Sequence, residues 1–244
     1  KLAGDMPNAG VGLRAVATAM TAAVAAVRLW SISDVHTDSP ENRQWVEDLS
    51  TSDYRHDVLI CAGDVSDDMD VLEETLRLFV ERFGTVLFVP GNHDLWVRQA
   101  DPHSDSWEKL LALRDLCTRL GVHTGPVRVV GPSSVEDQVR GIWVCPLYSW
   151  HHKGFDEEPD LQGWAVPPVE RCMVDYSVCK WPGELSMLDD GVAEFVDKLN
   201  DEMESTLSQM RSASSASQAE EPLVTFSHFL PEPELLLEKR FLAI

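Results

Sequence analysis

The sequence is short of positive charge. Only 20 lysines and arginines stand against 41 aspartates and glutamates, a net charge of −21 at pH 7. A field of that sign repels a phosphate backbone and offers no basic stripe, so nucleic acid is not expected as a partner. Long apolar runs are missing too. The longest uncharged one, Ala15 to Val27, is too short and too alanine-rich to span a bilayer, and no membrane partner is expected.

Paired cysteines are also lacking. Cys61, Cys117, Cys145, Cys172 and Cys179 are odd in number and contain no C-x-x-C, which argues against a disulfide framework and a structural zinc finger. A reducing compartment fits this best, and the expected location is the cytoplasm. An organelle is the alternative, if the Ala/Gly-rich residues 1–27 are the remainder of a transit peptide. No internal repeat occurs.

What is present suffices for a real core: 244 residues, 44% of them hydrophobic. Residues 1–27 read as an N-terminal extension and 28–244 as one domain. Within that domain, residues 148–184 form a long loop region with Trp150, Trp164 and Trp181, and residues 212–222 form a flexible Ser/Ala/Gln/Glu-rich segment.

From Arg28 onward strands and helices alternate. Leu29 to Ser33, Val58 to Ala62 and Val86 to Val89 read as buried strands. A first helix starts at Ser39-Pro40 with Trp45, Val46 and Leu49 inward. A second carries Leu72, Leu76, Phe79, Val80 and Phe83 up to Gly84, and a third spans Ser106 to Leu120 before Gly121. This alternation implies a largely parallel sheet. The rhythm then changes: Val127 to Val130 and Gly141 to Leu147 are strands without an intervening helix. A later helix has Val192, Phe195, Val196, Leu199 and Met203 inward, and a strand from Leu223 to Phe226 ends in Ser227-His228.

Four strand ends carry polar clusters: Asp34-x-His36, Gly63-Asp64-x-x-Asp67, Gly91-Asn92-His93-Asp94 and His228. Carboxyl ends of parallel strands are where open α/β folds place ligands. Carboxylate, imidazole and amide oxygen together suit Mn²⁺, Fe or Zn²⁺. Each cluster has a bland explanation alone, such as a cap, a turn or a hydrogen-bonded histidine. Their ordered placement at successive strand ends does not.

The set resembles the calcineurin-like metallophosphoesterase superfamily, whose pattern is D-x-H, G-D-x-x-D, G-N-H-[DE], a single His, then G-H-x-H. The resemblance covers roughly Leu29 to His228. It implies a four-layer α/β/β/α sandwich holding two divalent or trivalent metal ions. It also implies hydrolysis of phosphate mono- or diesters by in-line attack of a metal-bridging hydroxide. By the same resemblance Asp34 and His36 bind the first metal, Asp64 bridges, and Asn92 and His228 bind the second. His93 faces the substrate, protonating the leaving oxygen or stabilising transition-state charge, with Asp67 as its orienting partner, since a carboxylate keeps a histidine protonated more easily near neutrality. A phosphorylated small molecule is the expected substrate.

Two departures matter. No G-H-x-H occurs in these residues, and the expectation is a C-terminally incomplete domain that stops before it. His151-His152 lack the preceding glycine and the spacer and precede His228. The arginines found after G-D-x-x-D and before G-N-H-E in Ser/Thr phosphatases are replaced by Asp68 and Pro90, which disfavours a phosphoprotein phosphatase. Lys153, Arg171 and Lys180 are the substitute cations to test. The alternative reading is a catalytically inactive or incomplete binding protein on the same fold.

Overall fold

β1 (Leu29–Ile32), β2 (Val58–Cys61) and β3 (Thr85–Phe88) pair in parallel in that order, with Leu29 opposite Val58 and Val58 opposite Thr85. All four β2 residues are buried, as a central strand covered on both faces requires. Because side chains alternate along a strand, its two faces reach different layers. Leu59, Cys61, Val86 and Phe88 join one core with Leu72, Leu76 and Phe79 of α2 (Met69–Arg82). The same core takes in Leu110, Leu113 and Leu116 of α3 (Ser106–Leu120). Val58, Ile60 and Leu87 instead meet Val144.

Val144 belongs to a second sheet. In it β4 (Val127–Val130) runs antiparallel to β5 (Gly141–Pro146), and β5 runs parallel to β6 (Leu223–Phe226). Val127, Val129, Ile142 and Phe226 complete the layer between the sheets. On the other face of β5, Trp143 and Cys145 share a core with Val192 and Val196 of α6 (Gly191–Lys198) and with Met203 and Leu207 of α7 (Asn200–Ala213). The order helix, sheet, sheet, helix is the four-layer α/β/β/α arrangement. The structure, a computed structural model, describes residues 26–131, 141–155, 159, 167–213, 221–232 and 235.

The helix ends follow their sequence signals. Asp68 caps α2 by accepting the Asp70 and Val71 N–H groups at 2.8 and 3.2 Å, and Asp105 caps α3 by accepting that of Glu108 at 2.8 Å. Leu72, Leu76 and Phe79 are almost completely buried, each contributing about 1.5–3 kcal/mol of transfer free energy.

Three expectations change. In α1 (Pro40–Glu47) Val46 is fully buried, whereas Trp45 is 50% exposed. One short helix buries one face, and Trp45 lies about 100° around from Val46. The apolar stripe from Val192 to Met203 spans two helices. The chain restarts at Asn200, whose side chain is fixed by the Tyr148 N–H and C=O at 2.8 and 2.9 Å. Residues 148–184 are not a structureless loop: they include short helical turns at Lys153–Phe155, α4 (Val169–Cys172) and α5 (Asp175–Val178). Trp150 is 4% exposed and meets Trp181 edge-on, so both belong to the core.

Trp164 and residues 1–25 lie outside the described residues. Of segment 212–222, Ser212 and Ala213 end α7, and residues 214–220 lie outside the described residues. Glu221 is tied to Arg128 and to the Gly141 N–H.

Candidate metal centre

Three parallel strands bring their carboxyl ends to one edge, and hydrogen bonds stitch the following loops together. Asp34 and His36 donate their N–H groups to the Gly63 and Asp64 carbonyls at 3.0 Å, and Thr37 donates to Val65 at 2.9 Å. The fit forces Asp34, His36 and Asp64 into left-handed backbone conformations, φ 54°, 42° and 57°. Such conformations cost on the order of 1–3 kcal/mol each and persist where the surroundings over-determine them.

The second stitch is Asp94, which is fully buried. Its carboxylate accepts the N–H groups of Asp64, Val65 and Gly91 at 2.8 Å and that of Ser66 at 3.1 Å. Burial raises its carboxyl to about 6, with the Asp64 charge acting the same way and the Gly91, Ser66 and Val65 N–H groups opposing. The two loops touch through glycines: a Cβ on Gly63 would lie 2.3 Å from the Gly91 nitrogen, and one on Gly91 2.2 Å from Asp64 Oδ1. No side chain fits there.

Asp64 sits at the centre of the assembly, 4% exposed. His36 Nε2 and His93 Nε2 each lie 3.9 Å from its Oδ2, and His228 Nε2 lies 3.5 Å from its Oδ1. Donor atoms of Asp34, Asp64 and His228 converge within 4.8 Å, as do those of His36, Asp64 and His93. The five residues expected as ligands, Asp34, His36, Asp64, Asn92 and His228, thus come together around one carboxylate.

The hydrogen-bond pattern at His228 fits a cation. Its Nδ1 lies 2.8 Å from the Ala62 carbonyl oxygen, which can only accept. With that N–H committed, Nε2 of the neutral ring carries a lone pair. It faces Asn92 Oδ1 at 3.0 Å and Asp64 Oδ1 at 3.5 Å. A cation bound beside Nε2 would find all three of these atoms as possible ligands. Imidazole nitrogen, amide oxygen and carboxylate match a borderline metal ion, and a carbonyl fixing the far ring nitrogen is the usual support of a ligating histidine.

His93 lies alongside. Its backbone N–H donates to Asp64 Oδ1 at 2.9 Å, and its ring stacks on Trp96 at a centroid distance of 3.6 Å. Asp67 is not its hydrogen-bond partner. The Asp67 carboxylate pairs with Arg98, which also lies 5.0 Å over the Trp96 ring. Burial lowers the His93 pKa and His36 reinforces the shift, while the Asp64, Asp175 and Asp67 charges oppose it, so Asp67 acts on the ring through its charge and not through a hydrogen bond. Two cavities flank the centre. One of about 340 Å³ lies beside Asp67 and Arg98, and one of about 240 Å³ beside Asp34, Asn42 and Trp45. Of the substitute cations, Lys153 contacts the Leu188 carbonyl and Glu170.

The model of the calcineurin-like phosphoesterase family matches residues 27–159, more than half of the sequence. The chain belongs to that family. A 74-residue stretch is 45% identical to the [acyl-carrier-protein] phosphodiesterase PptH of Mycobacterium tuberculosis. That stretch covers 30% of this chain and only 22% of the relative's length. The crystal structure of the phosphopantetheinyl hydrolase PptH from the same organism superposes with a TM-score of 0.51 at 22% identity. It covers 86% of this chain and 74% of that one, a likeness of fold. Among the described residues no helix is long and apolar enough to cross a membrane.

Sequence reading missed two residues of the site. Trp96, two positions beyond the G-N-H-D motif, gives no signal to set it apart from a core tryptophan. Asp175 accepts the Asn92 Nδ2 and Trp96 Nε1 donors, both at 2.7 Å. It lies 83 residues from Asn92 in the chain, and no local pattern announces it.

Proposed function

We propose that this member of the family is a metal-dependent phosphodiesterase. Asp34 and His36 would hold one ion and Asn92 and His228 a second, with Asp64 shared between them. The observation that carries this reading is the approach of an amide oxygen and a carboxylate oxygen to one imidazole nitrogen, Asn92 Oδ1 at 3.0 Å and Asp64 Oδ1 at 3.5 Å from His228 Nε2. Manganese, iron and zinc all suit that donor set. Two such ions supply an activated water and offset charge on the phosphoryl oxygens.

The chain's own residues do the rest. Asp64, held by its backbone to Asp94 and by its side chain to the His93 N–H, cannot swing away from the shared position. His93 presents its ring beside Asp64 and His36 (ring centroids 4.6 Å apart), seated on Trp96, where it can give a proton to a departing oxygen. Arg98 is a nearby cation for a phosphate oxygen, in place of the arginines missing from positions 68 and 90. Diester rather than monoester chemistry is favoured by the 45% identical stretch of the [acyl-carrier-protein] phosphodiesterase. A phosphopantetheinyl carrier protein is therefore the first natural substrate to test. Residues 28–244 act as one domain in this reading.

The test is turnover of bis(p-nitrophenyl) phosphate with added Mn²⁺, alongside release of phosphopantetheine from a carrier protein. Activity should vanish with EDTA, return with Mn²⁺, and be lost in Asp64→Asn while the circular dichroism spectrum persists. Full activity in Asp64→Asn would sink the bridging role. The second reading is a catalytically silent binding protein on the same fold. Two ions per chain together with turnover would remove it.

A further inference from the structure

Asp175 is 2% exposed and opens α5, far from the motif loops in sequence. Its Oδ1 accepts two hydrogen bonds of 2.7 Å, one from Asn92 Nδ2 and one from Trp96 Nε1. The first decides which way the Asn92 amide points. With its nitrogen spent on a carboxylate, the oxygen must face the opposite way, and it lies 3.0 Å from His228 Nε2. Without Asp175 the amide gains by turning over. Wherever Nε2 of His228 accepts, the Asn92 N–H would then donate to it and fill the place of a cation with an ordinary hydrogen bond. The second bond fixes the indole on which the His93 ring is stacked.

Asp175 is itself held. The Val97 N–H donates to the Val178 carbonyl at 3.1 Å, and the Ser106 N–H to the Lys180 carbonyl at 2.7 Å. The Lys180 N–H returns a bond to Ser106 Oγ at 3.1 Å. The segment from Asp175 to Lys180 is thus latched onto the loop that carries Asn92, His93 and Trp96.

We infer that Asp175 is a positioning residue of the site. It keeps the Asn92 oxygen turned toward His228 and the His93 ring seated on Trp96, so the second ion's ligands are assembled from two distant parts of the chain. This rests on the reading of Asn92 and His228 as metal ligands.

The experiment is Mn²⁺ titration of the full chain, followed by calorimetry, together with ¹H–¹⁵N spectra of the Trp96 indole and the Asn92 side-chain amide in metal-free protein. Asp175→Ala should weaken Mn²⁺ binding about 10- to 100-fold, the usual cost of losing an outer support, and move both signals. Asp175→Asn keeps an oxygen that can accept both bonds and should stay within a few-fold of wild type. In an Asn92→Ala background the further change Asp175→Ala should alter Mn²⁺ affinity less than about twofold, because its effect runs through Asn92.

Equal losses with and without Asn92, or unchanged binding in Asp175→Ala, would overturn the positioning role and leave the metal reading standing. A wild-type chain that binds no Mn²⁺ would overturn both.

Discussion

Asp94 grips Asp64 by its backbone: the carboxylate of one accepts the N–H of the other at 2.8 Å and takes three more N–H groups from Val65, Ser66 and Gly91. The residue proposed as the bridging ligand is therefore held by a fully buried neighbour. Asp94→Ala would leave those buried donors without an acceptor, at about 1–3 kcal/mol for each one not re-satisfied. The expected result is a loss of at least about 3 kcal/mol in urea denaturation, with weakened Mn²⁺ binding in the protein that still folds. An unchanged denaturation midpoint would show that the loops hold without it.

Lys109 is a buried cation with three acceptors. Its Nζ donates to the Asp67 and Trp96 carbonyls at 2.6 Å and to Asp101 Oδ2 at 2.8 Å. Lys109→Met removes the charge and leaves Asp101, whose side chain is only 8% exposed, with His103 as its remaining partner. Breaking a buried pair from one side costs about 3–5 kcal/mol, and that loss should appear in thermal or urea unfolding.

Glu221 gives the second sheet an acid limit. The Arg128 hydrogen bond pulls its carboxyl down to about 2 from an ordinary 4.5, with the Gly141 N–H assisting and burial opposing. Between those values the unfolded chain binds a proton that the folded chain does not. Glu221 therefore stabilises the fold above about pH 4.5, and the contribution fades as pH falls toward 2. Glu221→Gln should lower the urea midpoint at pH 7, and the gap to wild type should close on acidification. A constant gap from pH 7 to pH 2 would contradict the assignment.

Trp150 tests whether the aromatic stretch selects substrates or fills the core. Its ring meets Trp181, His151 and Phe229 and is nearly inaccessible. Trp150→Ala should cost about 3–5 kcal/mol and leave relative rates on aryl and alkyl phosphate esters unchanged. A shift in selectivity without a loss of stability would contradict the core placement.

Much of the site could be read from sequence because it is local. Asp34-x-His36, Gly63-Asp64 and Gly91-Asn92-His93-Asp94 each follow a short apolar strand, and parallel pairing brings such ends together. Helix Ser106–Leu120 was equally legible, since its period and its terminal signals agree. What stayed hidden depends on partners far along the chain. Asp67 meets Arg98 rather than His93 because of where the loop after the 3₁₀ turn His93–Leu95 runs. The break at Leu199 comes from Asn200 binding the backbone of Tyr148, which no helical period records. Trp45 and Trp150 look alike in sequence, yet one is half exposed and the other enclosed.

Asp34 and His36 occupy backbone conformations that glycine would adopt with less strain. At these two positions chemical duty and conformational comfort point to different amino acids. A library screened for heat resistance alone would be rewarded for glycine at both, and would discard the candidate ligands as it raised the melting temperature.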